Sequence, residues 1–183
     1  MFSGLKMSAG ALLIIALALG CGGARGKVRD GDDYMRRARY DAAARAYGEA
    51  VSRKPGWGDA QRKLAEALLA SGEPDRALVA AQEACRLEAH ACEGPQVQAL
   101  VEVGRAAEAH TIAQDALARG VDDRALRLAA ADAALSTGEA HAASLLLLPL
   151  AADDAANAGQ SDHQIRRTMD ELMATAIAQV QAG

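Results

Sequence analysis

The sequence is poor in large aromatic side chains. Of its 183 residues only 3% are aromatic, whereas 51% are hydrophobic. A core without rings must be filled by Ala and Leu, and such small side chains fill space well only between closely packed helices. The composition therefore predicts an all-α fold, and the length allows one domain plus appendages.

The chain also lacks an excess of basic residues. It has 20 Lys and Arg against 24 Asp and Glu, which gives a formal net charge of −4. Proteins that bind nucleic acid neutralise phosphates with a surplus of Lys and Arg, and no such surplus exists here. We expect no nucleic acid partner.

Motifs for catalysis, nucleotide binding or metal binding are missing as well. No Ser lies in a G-x-S-x-G context. Gly26-Lys27 lacks both the preceding Gly and the following Ser or Thr of a phosphate-binding loop. The histidines have neither the spacing nor the Cys partners of a metal site, and they are His90, His110, His141 and His163. We therefore expect a protein that is not an enzyme and needs no cofactor, nucleotide or metal.

A hydrophobic run is present at the amino terminus. Lys6 is followed by an uncharged stretch from Met7 to Gly20. This run has the length of the hydrophobic region of a signal peptide and is shorter than the roughly 20 residues needed to span a bilayer. It predicts a signal peptide over residues 1–20.

The end of that run, Ala18-Leu19-Gly20-Cys21, resembles the lipobox of bacterial lipoproteins. The resemblance implies cleavage before Cys21, attachment of diacylglycerol to its thiol, and a fatty-acylated new amino terminus that anchors the chain to a membrane. Because Gly22 and not Asp follows the Cys, the sorting rule of enteric bacteria implies the outer membrane, facing the periplasm. An ordinary secretory peptide cut nearby is the alternative. Residues 21–28 are Gly-rich and are predicted to form a flexible tether.

One pattern of small and apolar residues recurs along the rest of the chain. A turn column recurs at intervals of 34, 32 and 34 residues, and comprises Ala38, Gly72, Gly104 and Gly138. Two columns follow each turn at fixed distances: Ala43, Ala77, Ala109 and Ala143, then Ala50, Ala84, Ala116 and Leu150. A fourth column precedes it: Tyr34, Leu68, Leu100 and Ala134. Such a period, split by a mid-repeat Gly, is typical of stacked helix pairs.

These columns resemble the tetratricopeptide repeat family, whose unit is an antiparallel helix pair with small residues where the helices cross. The resemblance covers roughly residues 28–150 and implies a right-handed superhelix of about four hairpins, at 29–55, 56–89, 90–121 and 122–150. The predicted helices are 29–37, 41–53, 58–70, 74–88, 95–103, 105–119, 122–136 and 139–148. Pro149 departs from the pattern and is expected to end the last of them.

The remainder, residues 151–183, is predicted to form a loop and a C-terminal capping helix. A capping-box spacing begins at Ser161. An apolar stripe follows at helical spacing, made of Ile165, Met169, Leu172, Met173, Ile177 and Val180. This helix is expected to cover the open end of the stack. Docking of the stripe onto a partner is the alternative.

Two further cysteines, Cys85 and Cys92, flank the turn between the second and third units. In an exported chain they are candidates for a disulfide. Two buried free thiols are the alternative reading, which a reducing compartment would favour.

The family resemblance also implies a groove, lined by the first helix of each pair, that holds a peptide or helix of another protein. Its polar positions are Asp32, Glu66, Gln98 and Asp132, and its apolar positions one turn on are Met35, Leu69, Val101 and Leu135. Arg62 is the one cation expected beside them. This composition predicts a ligand with apolar anchors and basic or amide groups. Acids that merely keep the face soluble are the alternative.

Together these features predict an outer-membrane-anchored lipoprotein that serves as a protein–protein interaction scaffold or assembly factor of the bacterial envelope. Its layout is similar to that of the repeat lipoproteins that serve type IV pilus secretins or the outer-membrane β-barrel assembly machine. The alternative function is a regulatory or localising subunit of an envelope enzyme such as a peptidoglycan hydrolase.

Overall fold

The computed structural model describes residues 9–87, 91–121, 123–156, 170, 172–178 and 181. Over these residues the chain forms helices and no strand, so the predicted all-α class is confirmed. In chain order the helices are α1 (Ala9–Arg36), α2 (Tyr40–Arg53), α3 (Gly58–Ala70), α4 (Pro74–Arg86), α5 (Glu93–Glu102), α6 (Ala106–Ala118), α7 (Arg124–Ser136) and α8 (Ala140–Ala156). A further helical segment covers 172–178.

Consecutive helices pack as hairpins. Helix α1 pairs with α2, α3 with α4, α5 with α6, and α7 with α8. Each hairpin also contacts the next, through α2 with α3, α4 with α5, and α6 with α7, and α5 packs against both α3 and α7. Neighbour-on-neighbour packing of this kind is that of a helical repeat, in which one hairpin buries too little apolar surface alone.

The turn inside each hairpin has the same hydrogen bonds. At the end of α3 the Gly72 amide donates to the Leu69 carbonyl at 2.9 Å, and the Glu73 amide donates to the Leu68 carbonyl at 2.9 Å. This pair of bonds satisfies carbonyls at a helix end and requires a left-handed residue, and Gly72 has φ +77°. The equivalent bonds occur at the other three residues of the turn column, all with positive φ: Ala38, Gly104 and Gly138. The predicted turns are confirmed.

The two small-residue columns lie where the helices of a hairpin meet. Ala43, Ala77, Ala109 and Ala143 are each fully buried. Each donates its amide to the carbonyl four residues earlier, in the residue that closes the turn. In the next column Ala50, Ala84 and Ala116 are also fully buried, and Leu150 is 4% exposed. Side chains this small let neighbouring helix backbones approach closely.

Helix α1 packs closely against α2 at Gly31. A Cβ atom added there would overlap the aromatic ring of Tyr47, which is 2% exposed. Glycine is therefore required at this position by the close approach of the Tyr47 ring. In the repeat register the positions equivalent to Tyr47 hold Ala81, Ala113 and Leu147, which are also buried.

The prediction of a flexible tether over residues 21–28 is wrong for the part whose side chains the structure describes. Residues 23–28 belong to α1, where Ala24 is fully buried and Val28 is 9% exposed. The Lys27 ammonium lies 2.9 Å from the Glu49 carboxylate of α2. Packing against α2 thus stabilises a helix that a Gly-rich sequence alone would not form.

The prediction that Pro149 ends the last helix is also wrong. Helix α8 continues through Pro149 to Ala156. Proline removes one backbone hydrogen bond and crowds the preceding turn, which normally breaks or kinks a helix. Here the buried side chains of Leu147 and Leu150 flank it on both sides, and their packing favours helical continuation. The predicted loop therefore does not begin before residue 157.

Part of the predicted capping helix is described, at residues 172–178. Ala176 is fully buried against a cluster that includes Leu135 and Leu147, with Leu172 and Met173 partly buried beside it. Ile177, although part of the predicted stripe, is 51% exposed. The capping-box residues from Ser161 and the stripe residues Ile165, Met169 and Val180 lie outside the described residues.

Candidate functional site

The predicted polar groove positions lie on one face of the molecule. Each stands two residues before the carbonyl that accepts the last hydrogen bond of an intra-hairpin turn, and these positions are Asp32, Glu66, Gln98 and Asp132. Because α1, α3, α5 and α7 end in the same way, the same register places these side chains on equivalent sides of their helices. We call this surface the odd-helix face.

Asp32, at one end of this face, is fully engaged by neighbours. Its Oδ1 accepts a hydrogen bond from the Tyr47 hydroxyl at 2.8 Å and a second from the Lys63 ammonium, so it joins α1 to both α2 and α3. Burial alone would raise the pKa of Asp32, but these hydrogen bonds and the charge of Lys63 outweigh burial and hold the pKa below its usual range. Burial and the hydrogen bond to Asp32 raise the pKa of Tyr47.

The charge of Glu66, on α3, is only partly compensated by a neighbouring cation. It is paired with Arg62 one turn away on the same helix. Burial raises the pKa of Glu66 despite that cation, and the negative charge of Asp123 raises it further. Asp123 accepts the Leu126 amide at 2.8 Å with one carboxylate oxygen, which caps α7. Its other oxygen is buried and has no hydrogen-bond partner among the described residues.

Asp132 and Glu102 carry their charge without a cation. Burial raises the pKa of Asp132. Burial also raises the pKa of Glu102, and the charge of Asp132 adds to that effect, although the Gln98 amide donates to Glu102 at 3.0 Å. In the described part of the chain neither carboxylate forms an ion pair. Asp132 is half-buried, whereas Glu102 keeps part of its surface exposed to solvent.

We call these five carboxylates the acidic row: Asp32, Glu66, Glu102, Asp123 and Asp132. Two cations, Lys63 and Arg62, neutralise the end of the row near α1. The end formed by α5 and α7 has no such partners among the residues described. The uncompensated end therefore presents a negative potential that a basic group on another molecule can neutralise.

The predicted apolar positions are less available than expected. Leu69 is 8% exposed and Leu135 is 7% exposed, and both belong to the hydrophobic core. Met35 and Val101 are half-buried and pack against that core. Contacts between neighbouring helices cover most of the surface of Leu69 and Leu135, so Met35 and Val101 are the more exposed of the four predicted positions.

Sequence reasoning missed four members of this site. Tyr47 and Lys63 lie 15 and 31 residues from Asp32, and no local pattern indicates that they contact it. The charge of Asp123, at the start of α7, raises the pKa of Glu66 on α3. Glu102 had an available signal, since it lies four residues after Gln98 and so shares a helix face with it.

The second predicted site is the cysteine pair. In the structure the sulfurs of Cys85 and Cys92 are joined, with their Cα atoms 5.3 Å apart. Cys85 lies in the last turn of α4 and Cys92 directly precedes α5. The disulfide therefore links the second hairpin to the third.

Among the described residues, the predicted lipidation site and the histidines form no further candidate site. Cys21 belongs to the backbone of α1, and its side chain lies outside the described part. His110 lies 3.4 Å from Glu139 and contacts Gln114, while His90 and His163 are among the residues the structure does not describe. Within the described ranges no three His, Cys, Asp or Glu side chains converge on a position suited to a metal ion, and none of the helices there is long and apolar enough to cross a membrane.

A surface cleft between α3 and α4 does not coincide with the acidic row. Its lining includes Leu64, Arg76 and Val79, and Val79 is 67% exposed. None of the five carboxylates of the acidic row lines it.

No protein-family model matches the chain, and no curated protein matches it significantly. Function is therefore inferred from the residues themselves.

Proposed function

We propose that this protein is a lipid-anchored scaffold or assembly factor of the bacterial cell envelope, and that the odd-helix face binds a segment of another envelope protein. The observation that carries the proposal is the uncompensated end of the acidic row. Burial raises the pKa of both Glu102 and Asp132. A carboxylate held in its unfavourable charged state lowers stability, and residues of this kind cluster at binding and catalytic sites.

The repeated hairpins support the proposal. We propose that they are tetratricopeptide-like units wound into a right-handed superhelix, with the odd-helix face on its concave side. In that arrangement an extended or helical segment of a partner runs across α3, α5 and α7 and meets Glu66, Glu102 and Asp132 in turn. Side chains from three hairpins then contact one ligand.

The chemistry of the face defines the ligand. Basic groups of the partner neutralise Glu102 and Asp132, and amide groups suit Gln98, which is exposed. Since Leu69 and Leu135 are buried, apolar contacts are restricted to Met35 and Val101. We therefore expect a partner segment that is rich in Lys, Arg or Asn, with few large apolar residues.

The anchor is the second half of the proposal. The uncharged run before Cys21 and its lipobox-like end support lipidation of Cys21, with the chain on the outer membrane and facing the periplasm. Mass spectrometry of the amino-terminal peptide from membranes tests this directly. Recovery of an unacylated peptide, or of the protein from the growth medium, would refute the anchor.

Site-specific photo-cross-linking in intact cells tests the face. A photoreactive residue at Gln98, which is exposed on α5, is compared with one at Gln82, which is exposed on α4. We expect a discrete partner adduct from position 98 alone. Adducts of the same protein from both positions, or from neither, would contradict the assignment of the odd-helix face.

Charge reversal then tests the acidic row. The double variant Glu102→Lys and Asp132→Lys should abolish the adduct formed from position 98. Asp115→Lys is the control, since it changes charge at a side chain on α6 that is 70% exposed. Identification of the cross-linked protein also separates an assembly factor, which captures a structural component, from a localising subunit, which captures an envelope hydrolase.

A further inference from the structure

The start of the proposed mature chain packs against α2. Ala24 is fully buried, and the Lys27 ammonium contacts Glu49 of α2 at 2.9 Å. A Cβ atom added to Gly23 would meet the guanidinium group of Arg53, at the far end of α2. Cys21 is two residues earlier in the same helix, which is about 3 Å along the helix axis.

The turn that joins the first two hairpins therefore lies at the level of the lipidation site. Helix α2 runs antiparallel to α1 and ends at Arg53, and α3 begins at Gly58. The turn residues include Lys54 and Trp57, and the Lys54 ammonium lies 5.0 Å from the centre of the Trp57 ring. We call Arg53, Lys54 and Trp57 the anchor edge.

The two segments that meet at this edge are basic although the chain as a whole is acidic. Residues 22–29 and 50–57 contain five basic residues and no acidic one: Arg25, Lys27, Arg29, Arg53 and Lys54. The three nearest acids along the chain are Asp30, Glu49 and Asp59. Of these, Glu49 neutralises Lys27 at 2.9 Å and lies 3.7 Å from Arg53. Lys54 is exposed and Trp57 is half-buried.

We propose that the anchor edge binds anionic lipid headgroups, so that the protein stands on the membrane in one orientation instead of swinging on its lipid. The inference rests on the proposed lipidation of Cys21. Basic side chains within a Debye length of about 8 Å are attracted to a negatively charged bilayer surface. A Trp ring at a polar edge suits the headgroup level, where its apolar body and N–H are both accommodated.

The orientation has a consequence for the odd-helix face. The intra-hairpin turns at Ala38, Gly72, Gly104 and Gly138 point away from the anchor edge, because each hairpin reverses there. The helix axes then stand up from the membrane, and the acidic row is open to the periplasm along its side. A partner reaches Glu102 and Asp132 without approaching the bilayer.

The experiment uses the fact that Trp57 is the one Trp of the sequence. The mature chain, residues 21–183, is coupled through the Cys21 thiol to a maleimide lipid in vesicles of phosphatidylcholine and phosphatidylglycerol. A nitroxide on the headgroups of a trace lipid then quenches Trp57 only where the anchor edge touches the surface. Because the linkage is made chemically, the result does not depend on lipidation in the cell.

We expect strong quenching on these vesicles and weaker quenching on vesicles of phosphatidylcholine alone. The double variant Arg53→Glu and Lys54→Glu should lose it, since reversing two charges lowers the equilibrium constant for contact by about 25-fold or more. Arg37→Glu with Arg39→Glu is the matched control. It makes the same change at the other end of the same hairpin, where Arg39 stacks over Tyr34 at 5.1 Å, and should quench like the parent chain.

Unquenched Trp57 in the tethered parent chain would overturn the inference. So would equal quenching in the parent and in the variant reversed at Arg53 and Lys54. Either result leaves the lipid anchor itself standing. Conversely, an unacylated Cys21 in cells refutes the proposed anchor while the vesicle measurement still reports the lipid affinity of the edge.

Discussion

The first hairpin differs from the third and fourth in the residues that fill the space between its helices. In the first, Tyr47 fills the space beside Gly31, and its hydroxyl and Lys63 bind Asp32. The segment from residue 91 to residue 156 contains no aromatic residue at all. There the helices meet through alanines and aliphatic side chains such as Leu100 and Leu126. Glu102 and Asp132 have no cation beside them among the described residues.

The difference separates two uses of an acidic side chain in one register. Asp32 is a structural acid, because its carboxylate accepts hydrogen bonds that join α1, α2 and α3. Asp132 occupies the equivalent position in α7, where burial opposes its charge and nothing described there compensates it. The same column of the repeat therefore joins three helices at one end and holds an uncompensated carboxylate at the other.

The largest effect should come from filling the space beside Tyr47. Gly31→Ala adds a methyl group that overlaps the buried ring, and overpacking of this kind lowers the free energy of unfolding by about 3 kcal/mol. Urea denaturation followed by circular dichroism measures it. Gly26→Ala, in the same helix, is the control because nothing lies within 4 Å of the added atom.

That control also sharpens the comparison. Replacing a helical Gly by Ala raises the free energy of unfolding by roughly 0.5 to 1 kcal/mol. A flexible tether would show no such gain, so an unchanged Gly26→Ala would return residues 23–28 to the tether reading. If Gly31→Ala left the free energy of unfolding unchanged, the close packing of the Tyr47 ring against Gly31 would be contradicted.

The second prediction concerns the junction between the two regions. Replacing Cys85 and Cys92 together by Ser should lower the free energy of unfolding by about 2 to 3 kcal/mol, because the disulfide closes a short loop and restrains the unfolded chain. With that link removed, the third and fourth hairpins should unfold before the first two. Fluorescence of Trp57, which reports the first two hairpins, would then change at higher urea than the circular dichroism of the whole chain.

A single shared transition in the doubly substituted protein would contradict that independence. The parent protein under reducing conditions serves as a chemical control, since it should reproduce the behaviour of the double variant without any change of sequence.

The third prediction tests the structural acid. Asp32→Asn keeps the shape and an acceptor for Tyr47 but removes the charge facing Lys63, and should lower the free energy of unfolding by about 1 kcal/mol at pH 7. The pKa of Asp32 is lowered in the folded protein, so its contribution is present above the unfolded pKa and is lost as pH falls through the folded pKa. The parent and the variant should therefore converge in acid. Lys63→Met removes the other member of the ion pair, and its stability should also converge with that of the parent in acid. If the stability of parent and variants instead differed by the same amount at every pH, the ion pair would not contribute to stability.

Much of the fold could be predicted because its signals are local. A positive-φ turn needs Gly or a similarly tolerant residue, and the turn column at Gly72, Gly104 and Gly138 fixed where each hairpin reverses. The two errors arose where tertiary packing overrode local preference. The glycines of residues 22–26 weaken a helix and Pro149 interrupts one, yet burial of Ala24 on one side and of Leu147 and Leu150 on the other keeps both segments helical.

The candidate site was less accessible to sequence reasoning. Register placed Asp32, Glu66 and Asp132 on one face, but register does not distinguish a paired acid from an unpaired one. That distinction depends on Lys63, which is 31 residues from Asp32 along the chain, and on a burial pattern that places Leu69 and Leu135 in the core. Contacts of this kind depend on how one hairpin packs on the next, and the sequence of a single hairpin does not indicate that packing.

The smallest expected effect is also the one that separates the two acids most sharply. The pKa of Asp132 is raised by burial, so the folded protein binds its proton more tightly than the unfolded chain does, and the charged form lowers stability above the folded pKa. Asp132→Asn should therefore raise the free energy of unfolding at pH 7, by no more than about 0.5 kcal/mol, and the gain should vanish as pH falls below the unfolded pKa. Asp32→Asn has the opposite sign in the same urea titrations. If Asp132→Asn instead destabilised the protein at pH 7, Asp132 would be a second structural acid, and the end of the row formed by α5 and α7 would lose its claim to be the binding end.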